Sequence, residues 1–191
     1  MSAPLQGQSG ADAAEAILKF WFEETKPYQW FRRDLEFDAR IRTRFSALHQ
    51  SSISGALDGW SENPRPALAR IILLDQFSRN IFRDDPRAFA HDHLALEAAQ
   101  DAIARGHDKS FDAKERAFFY MPFMHCEDLA SQERCVELTK ERLPGSTNES
   151  HAIEHCDIIK KFGRFPHRNK VLGRVSTAAE IEFLKTGGFN P

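Results

Sequence analysis

Residues 66–83 read PALARIILLDQFSRNIFR, and this stretch is the clearest indication of the fold class. Its apolar side chains recur at helical spacing through Ile71, Leu74 and Phe77, and a proline at its start suits the first turn of a helix. No segment of the chain alternates convincingly between polar and apolar residues at the two-residue period of a strand. The pattern therefore predicts an all-α protein.

The same helical spacing recurs on both sides of this stretch and predicts about eight helices, joined by short loops into antiparallel hairpins. We expect these helices to begin near Ala11, Asp34, Pro66, Pro86, Asp112, Met124, Ser150 and Ala178. Pro122 is predicted to separate a short helix from the one that carries His125, because proline disfavours a helix interior. Ser176 or Thr177 is expected to cap the last helix. No clear repeat of about 30 to 40 residues is visible.

The chain has 191 residues, of which 41% are hydrophobic and 28% charged, as is typical of one globular domain. We predict a flexible tail over residues 1–10 and a single helical domain over residues 11–191. The formal net charge of -2 gives no general attraction to nucleic acid or to membranes, so neither is expected as a partner. The absence of a signal peptide, of a membrane-spanning stretch and of CxxC cysteine pairs favours a cytoplasmic protein.

Polar residues occupy helix positions that should face the core. In a helix over residues 124–139, His125, Asp128 and Gln132 fall among apolar side chains. His151 and His155 lie on the apolar side of the helix that follows, and Asp92 does so on an earlier one. Because buried polar groups are costly unless they are paired, these residues either satisfy one another or line a cavity.

A second polar face lies within the opening stretch itself. Its members on one side of the helix are Asp75, Gln76, Arg79, Asn80 and Arg83. A solvated face is the simpler interpretation of such a stripe. Glutamine, asparagine and arginine offer geometrically defined hydrogen bonds, however, where an idle surface would favour lysine and glutamate. We therefore predict a partly buried polar face.

Residues 160–174, KKFGRFPHRNKVLGR, contain six lysines or arginines, one histidine and no acid. A turn there is predicted to bring four side chains together on one anion: Arg164, His167, Arg168 and Asn169. Interleaved phenylalanines would also fit a nucleic-acid patch, but one short basic segment on a slightly acidic chain argues against it. The other interpretation is that these arginines pair with Asp75, Asp92 or Asp128 and tie helices together. Both interpretations stay open at this stage.

His151, Glu154 and His155 spell HxxEH, a spacing found in some zinc enzymes. The motif is short, and no third ligand stands in an obvious context, so we predict no bound metal. No phosphate-binding loop, dinucleotide fingerprint or serine nucleophile elbow is present, and the sequence identifies no cofactor.

Four strings resemble a bacterial family of unknown function, domain-of-unknown-function family 924: FDARIRTRF, ALARIILLDQFSRNIFR, FYMPFMHCEDLASQERC and HCDIIKKFGRFPHRNKVLGR. The resemblance runs from about residue 14 to residue 189. It implies an all-helical fold similar to tetratricopeptide-repeat arrays and brings no established reaction, cofactor or catalytic residue. The family pattern matches at Asp75, Gln76, Arg79, Asn80, Asp92, His125, Glu127, Asp128, Gln132, His155, Arg164, His167, Arg168 and Asn169, whereas His151 lies outside it.

Three hypotheses for function follow. The first is a pocket for a small anionic molecule, in which arginines hold the anion and His125 or His155, each beside a carboxylate, is the general base or acid. Its predicted lining is Asp75, Arg79, Asp92, His125, Asp128, His155 and Arg168. Further candidate ligand-binding residues are Gln76, Asn80, Gln132, Arg164, His167 and Asn169. The second is a module that binds a peptide or protein in a groove lined by aromatic and basic residues, including Trp30, Trp60 and Phe165. Trp30 and Trp60 are better explained, however, as loop residues that close the core. The third is a structural ion-pair network, for which Asp128→Ala should lower the free energy of unfolding by roughly 3 to 5 kcal/mol.

Overall fold

The computed structural model describes residues 10–187, and every regular element in that part of the chain is helical. The predicted all-α class is therefore confirmed. We number the helices in chain order: α1, Gly10–Lys19, continued by the π-helical turn Phe20–Glu24; α2, Leu35–Ile53; α3, through Pro64–Ile72, Leu73–Phe77 and Ser78–Ile81; α4, Asp92–Ala104; α5, Ala113–His125; α6, Leu129–Arg142; α7, Thr147–Phe162; and α8, Ala178–Lys185. Apart from Gly10, the predicted tail lies outside the described residues.

Local signals correctly predicted several helix ends. The side chain of Asp34 accepts hydrogen bonds from the backbone N–H groups of Glu36 and Phe37, both at 3.0 Å, and so caps α2. Thr177 caps α8 and forms a reciprocal capping box with Glu180. These starts depend only on neighbouring residues, which is why the sequence alone could place them.

α3 is the central helix of the described fold, since α1, α2, α4 and α5 all pack against it. Its Phe77 lies in an aromatic core, 4.9 Å from Phe45 and 5.4 Å from Trp21 between ring centroids. Burying each such ring stabilises the fold by roughly 2 to 3 kcal/mol. From α5 onward the helices pack in chain order, α5 on α6 and α6 on α7. None of the helices within residues 10–187 is both long and apolar enough to cross a bilayer.

The predicted break at Pro122 is wrong, because this proline lies inside α5. A proline within a helix costs about 3 kcal/mol, since it lacks a donor and its ring crowds the preceding turn. Here the eight residues 117–124 are all buried, and the burial of Phe118, Phe119 and Phe123 offsets that cost. His125 therefore ends α5 and does not belong to the helix of Gln132.

The start predicted for the next helix is also wrong, and so is the inward position of Asp128. Asp128 is exposed and caps α6, accepting from the N–H of Ser131 at 2.8 Å. Gln132 is buried as predicted, but it donates to the backbone oxygens of Met124 and Cys126 and so closes the α5–α6 connection. The helix start predicted near Pro86 is wrong as well. Pro86 starts only a single 3-10 turn, and α4 begins at Asp92.

We expect Asp128→Ala to lower the free energy of unfolding by only about 1 kcal/mol, the usual cost of losing an exposed helix cap. Asp128→Asn should remain close to the unmodified protein, since asparagine caps helices equally well. Urea unfolding at neutral pH measures both effects. A loss of about 3 kcal/mol or more in Asp128→Ala would mean that this carboxylate balances a buried charge.

Candidate functional site

A cleft of about 510 Å³ opens between the polar side of α3, the end of α5 and the turn Pro166–Arg168. The α3 wall comes from the π-helical stretch Leu73–Phe77, a helix form that often occurs at functional sites. The extra residue in that turn shifts the side chains that follow it relative to an ideal helix. The residues that line the cleft are Trp30, Phe31, Arg33, Gln76, Arg79, Asn80, Arg83, Asp84, Ala88, Phe89, His125, His155, Phe165, His167, Arg168 and Val171.

A buried carboxylate stands behind this wall. Asp75 is only 1% exposed, and both of its oxygens contact Nδ1 of His125, at 2.8 and 2.9 Å. Arg79 lies 3.1 Å from Oδ1 of Asp75, and Gln76 donates to Oδ2 at 2.5 Å. Burial alone would raise the pKa of Asp75, but the charge of Arg79 and the hydrogen bonds from His125 and Gln76 outweigh it and hold that pKa below its usual value. Asp75 is therefore ionised, and His125 is fixed in one orientation.

A second carboxylate, that of Asp92, joins two of the arginines of the cleft. Oδ2 of Asp92 lies 3.1 Å from Nη2 of Arg79 and 3.4 Å from Nη1 of Arg168. The guanidinium of Arg168 also donates to the backbone oxygen of His125 at 2.9 Å and lies between the rings of Phe89 and Phe165, 4.6 and 4.7 Å from their centroids. Burial lowers the pKa of Arg168 to about 10, so this residue remains charged at neutral pH.

Two histidines contact the ring of Phe165, and a third lies near one of them. The His125 and His155 rings lie 6.4 Å apart, and His155 and His167 contact the Phe165 ring at 5.6 and 5.5 Å. Burial lowers the pKa of His155 to about 3 and that of His167 to about 4. Nδ1 of His155 donates to the backbone oxygen of His151 at 2.7 Å, so its neighbour at this nitrogen is a carbonyl and not the expected carboxylate.

Asp38 is a further site residue that sequence reasoning missed. It is 2% exposed, accepts from Asn80 at 2.8 Å and pairs with Arg83 at 2.5 Å, so it orients two side chains of the cleft wall. Its position three residues before Ile41 places it on the buried side of α2, where Ile41 is fully buried. A helical projection of α2 would therefore have found it.

Several predicted ligand-binding residues lie outside the cleft. Arg164 turns away from Arg168 and pairs with Glu180 at 2.6 Å, so the predicted convergence of these two arginines is wrong. Asn169 donates to Ser176 at 3.0 Å and holds the turn. Asp128 and Gln132 serve the α5–α6 connection, as described above. The cleft thus unites a subset of the predicted site: Asp75 and Asp92 behind its wall, and Gln76, Arg79, Asn80, His125, His155, His167 and Arg168 on it.

Comparison with known proteins identifies the family of the chain. The sequence model of DUF924, described as a bacterial protein of unknown function, matches residues 17–188. The chain belongs to this family. A solved structure of a protein of unknown function from Agrobacterium tumefaciens is similar, with a TM-score of 0.89 and 42% identity over 94% of this chain and 100% of that one. No match was found among functionally curated proteins.

The HxxEH motif does not gather a metal site. His151 is exposed, whereas His155 is buried and points its Nδ1 at the backbone. Within residues 10–187, no group of three or more histidine, cysteine, aspartate or glutamate side chains is arranged to hold a metal ion. The absence of bound zinc remains a prediction.

We expect the buried neutral His155 to make the fold sensitive to acid. Its folded pKa, about 3, is below the usual value near 6.5, so the unfolded chain takes up the proton first as the pH falls. The contribution of His155 to the free energy of unfolding is therefore complete above about pH 6.5. It is lost progressively below that pH, by about 2 kcal/mol at pH 5. Urea unfolding at pH 7 and pH 5 should show a smaller difference in His155→Phe. His151→Phe, at an exposed position, is the matched control and should behave as the unmodified protein; equal acid sensitivity in all three proteins would contradict the assignment.

Proposed function

We propose that the cleft binds a small anionic molecule. The main support is the set of guanidinium groups in its walls: the lining side chains include four arginines, against the single carboxylate of Asp84. Two carboxylates contact these arginines from outside the lining: the buried Asp38 behind Arg83 and the partly buried Asp92 behind Arg79. Arginine guanidinium groups fixed in this way bind carboxylate or phosphate through paired, charge-assisted hydrogen bonds.

We further propose that His125 exchanges a proton with this ligand. The Asp75 carboxylate holds its Nδ1, and Nε2 is the ring nitrogen left for the cleft, an arrangement that suits a general base. Serine, threonine, cysteine and lysine are missing from the described residues that line the cleft. Acid–base chemistry by His125 therefore fits this site better than attack by a hydroxyl, thiol or amine. His155 provides a second imidazole nearby.

A peptide-binding module is the alternative, favoured by exposed hydrophobic residues in the segment 28–35, which contributes Phe31 to the cleft. Tyr28, Phe31 and Leu35 are each more than half exposed, and Phe31 belongs to the cleft lining. The groove predicted for such a module is not formed as expected, because Trp60 lies in the hydrophobic core and Phe165 is fully buried. Trp30 lines the cleft but also stacks on Trp21, with 5.9 Å between ring centroids. The small-ligand proposal accounts for more of the site.

The reduced, cytoplasmic location expected from the sequence remains part of this proposal. Cys126, Cys135 and Cys156 are free thiols, and burial raises the pKa of Cys135 to about 12. A buried thiol kept protonated, as Cys135 is, is unreactive and suits structural packing, and none of the three cysteines lines the cleft.

We expect inorganic phosphate, titrated into 15N-labelled protein, to shift the amide resonances of the cleft residues. Arg168→Gln should weaken this binding at least about tenfold, because a charge-assisted pair contributes roughly 1.5 to 3 kcal/mol. Arg164→Gln is the matched control, since it removes an arginine of the same turn that faces Glu180, and binding should persist. Circular dichroism checks that both variants are folded.

The titration can also contradict the anion-binding proposal. If phosphate, sulfate and simple carboxylates at millimolar concentration shift no cleft resonance of the unmodified protein, the anion-binding proposal is wrong. A stoichiometric protein partner recovered from native lysate, lost on Phe31→Ala and retained in Arg168→Gln, would instead favour the peptide-binding alternative.

A further inference from the structure

We infer that the ligand of the cleft carries an O–H or N–H donor beside its anionic group, so that the site selects a hydroxy acid or a protonated oxyanion over an anion without such a proton. This inference rests on the proposed function and narrows its ligand class. It comes from the hydrogen bonds of His125, because they determine which ring nitrogen donates and which one accepts a hydrogen bond from a ligand.

The first step is the tautomer of His125. Its Nδ1 lies 2.8 and 2.9 Å from the two oxygens of Asp75, and an ionised carboxylate can only accept hydrogen bonds. The ring proton must therefore be on Nδ1. In a neutral imidazole the other nitrogen, Nε2, then carries a lone pair and acts as an acceptor.

The second step is the charge of the ring. Burial, together with the positive charges of Arg79 and Arg168, lowers the pKa of His125, and the carboxylate of Asp75 offsets only part of that effect. The ring is therefore neutral at physiological pH, and Nε2 has no proton to offer. An anion that meets Nε2 with an unprotonated oxygen places two lone pairs against each other, whereas a ligand O–H or N–H makes a hydrogen bond there.

The third step is the short distance between the anion-binding groups and this acceptor. Arg79 contacts the same carboxylate as His125, with Nη1 3.1 Å from Oδ1 of Asp75, and Arg168 donates to the backbone oxygen of His125 at 2.9 Å. Arg79 is thus joined to His125 through the Asp75 carboxylate, and Arg168 contacts the backbone of His125 directly. The acid group and the proton donor must accordingly lie within a few bonds of each other, as they do in a hydroxy acid or in hydrogenphosphate.

Two matched pairs of anions test this inference without any mutation. Sulfate and phosphate have the same shape. At about pH 8, phosphate is mainly a dianion that keeps one proton, whereas sulfate has none. Lactate and propionate differ by one hydroxyl group. We expect the proton-bearing member of at least one pair to bind about tenfold more tightly, as measured by amide shifts at constant ionic strength, since one hydrogen bond that the competitor cannot make is worth roughly that factor.

The two pairs also distinguish the two kinds of ligand. A preference for phosphate alone indicates a protonated oxyanion, and a preference for lactate alone indicates a hydroxy acid; either supports the inference. Equal affinities within both pairs would overturn it while leaving anion binding by the arginines intact. If none of the four anions binds, the proposed function fails and this inference fails with it.

A variant pair assigns the preference to Nε2. His125→Phe keeps a ring of similar size but removes the acceptor, so it should bring the affinities of the two members of a pair together. His151→Phe changes an exposed histidine outside the cleft and should retain the preference of the unmodified protein. A preference that survives in folded His125→Phe would contradict the role of Nε2. If this variant does not fold, the comparison of the four anions in the unmodified protein still decides the inference.

Discussion

The arrangement of the cleft depends on the need to satisfy one buried carboxylate. Asp75 is 1% exposed within the π-helical turn of α3, and an unpaired charge at such a depth would cost several kcal/mol. It therefore takes an arginine from its own helix, an imidazole from the end of α5 and the amide of Gln76 as partners. By satisfying Asp75, the fold also fixes which atoms of Arg79 and His125 face the cleft.

Asp38, which is also buried, and Asp92, which is partly buried, each hold one or more arginines whose side chains reach the cleft. Buried ion pairs of this kind need not stabilise a protein, and well-packed hydrophobic residues of similar volume often serve equally well or better. Three such carboxylates around a single cavity are therefore poorly explained by stability alone. They fit the proposed anion site, since arginines fixed in this way would lose little freedom when a ligand binds.

The sequence predicted what depends on neighbouring residues and missed what depends on distant ones. The caps at Asp34 and Thr177 and the polar side of α3 follow from local spacing, and the structure agrees with them. The continuation of α5 through Pro122 does not, because burial against other helices outweighs the proline rule. Arg164 and Arg168 are indistinguishable in sequence; only the distant partners Glu180 and Asp92 decide which arginine reaches the cleft.

The most direct test of this account is the protonation state of His125 in the unliganded protein, measured from the 15N shifts of its ring nitrogens by long-range proton–nitrogen NMR at neutral pH. If the buried Asp75 carboxylate organises the cleft, the ring is neutral, with its proton on Nδ1 and a lone pair on Nε2. A proton on Nε2, or a ring charged at neutral pH, would contradict the account. In either state Nε2 of His125 has no lone pair with which to accept a hydrogen bond from the ligand.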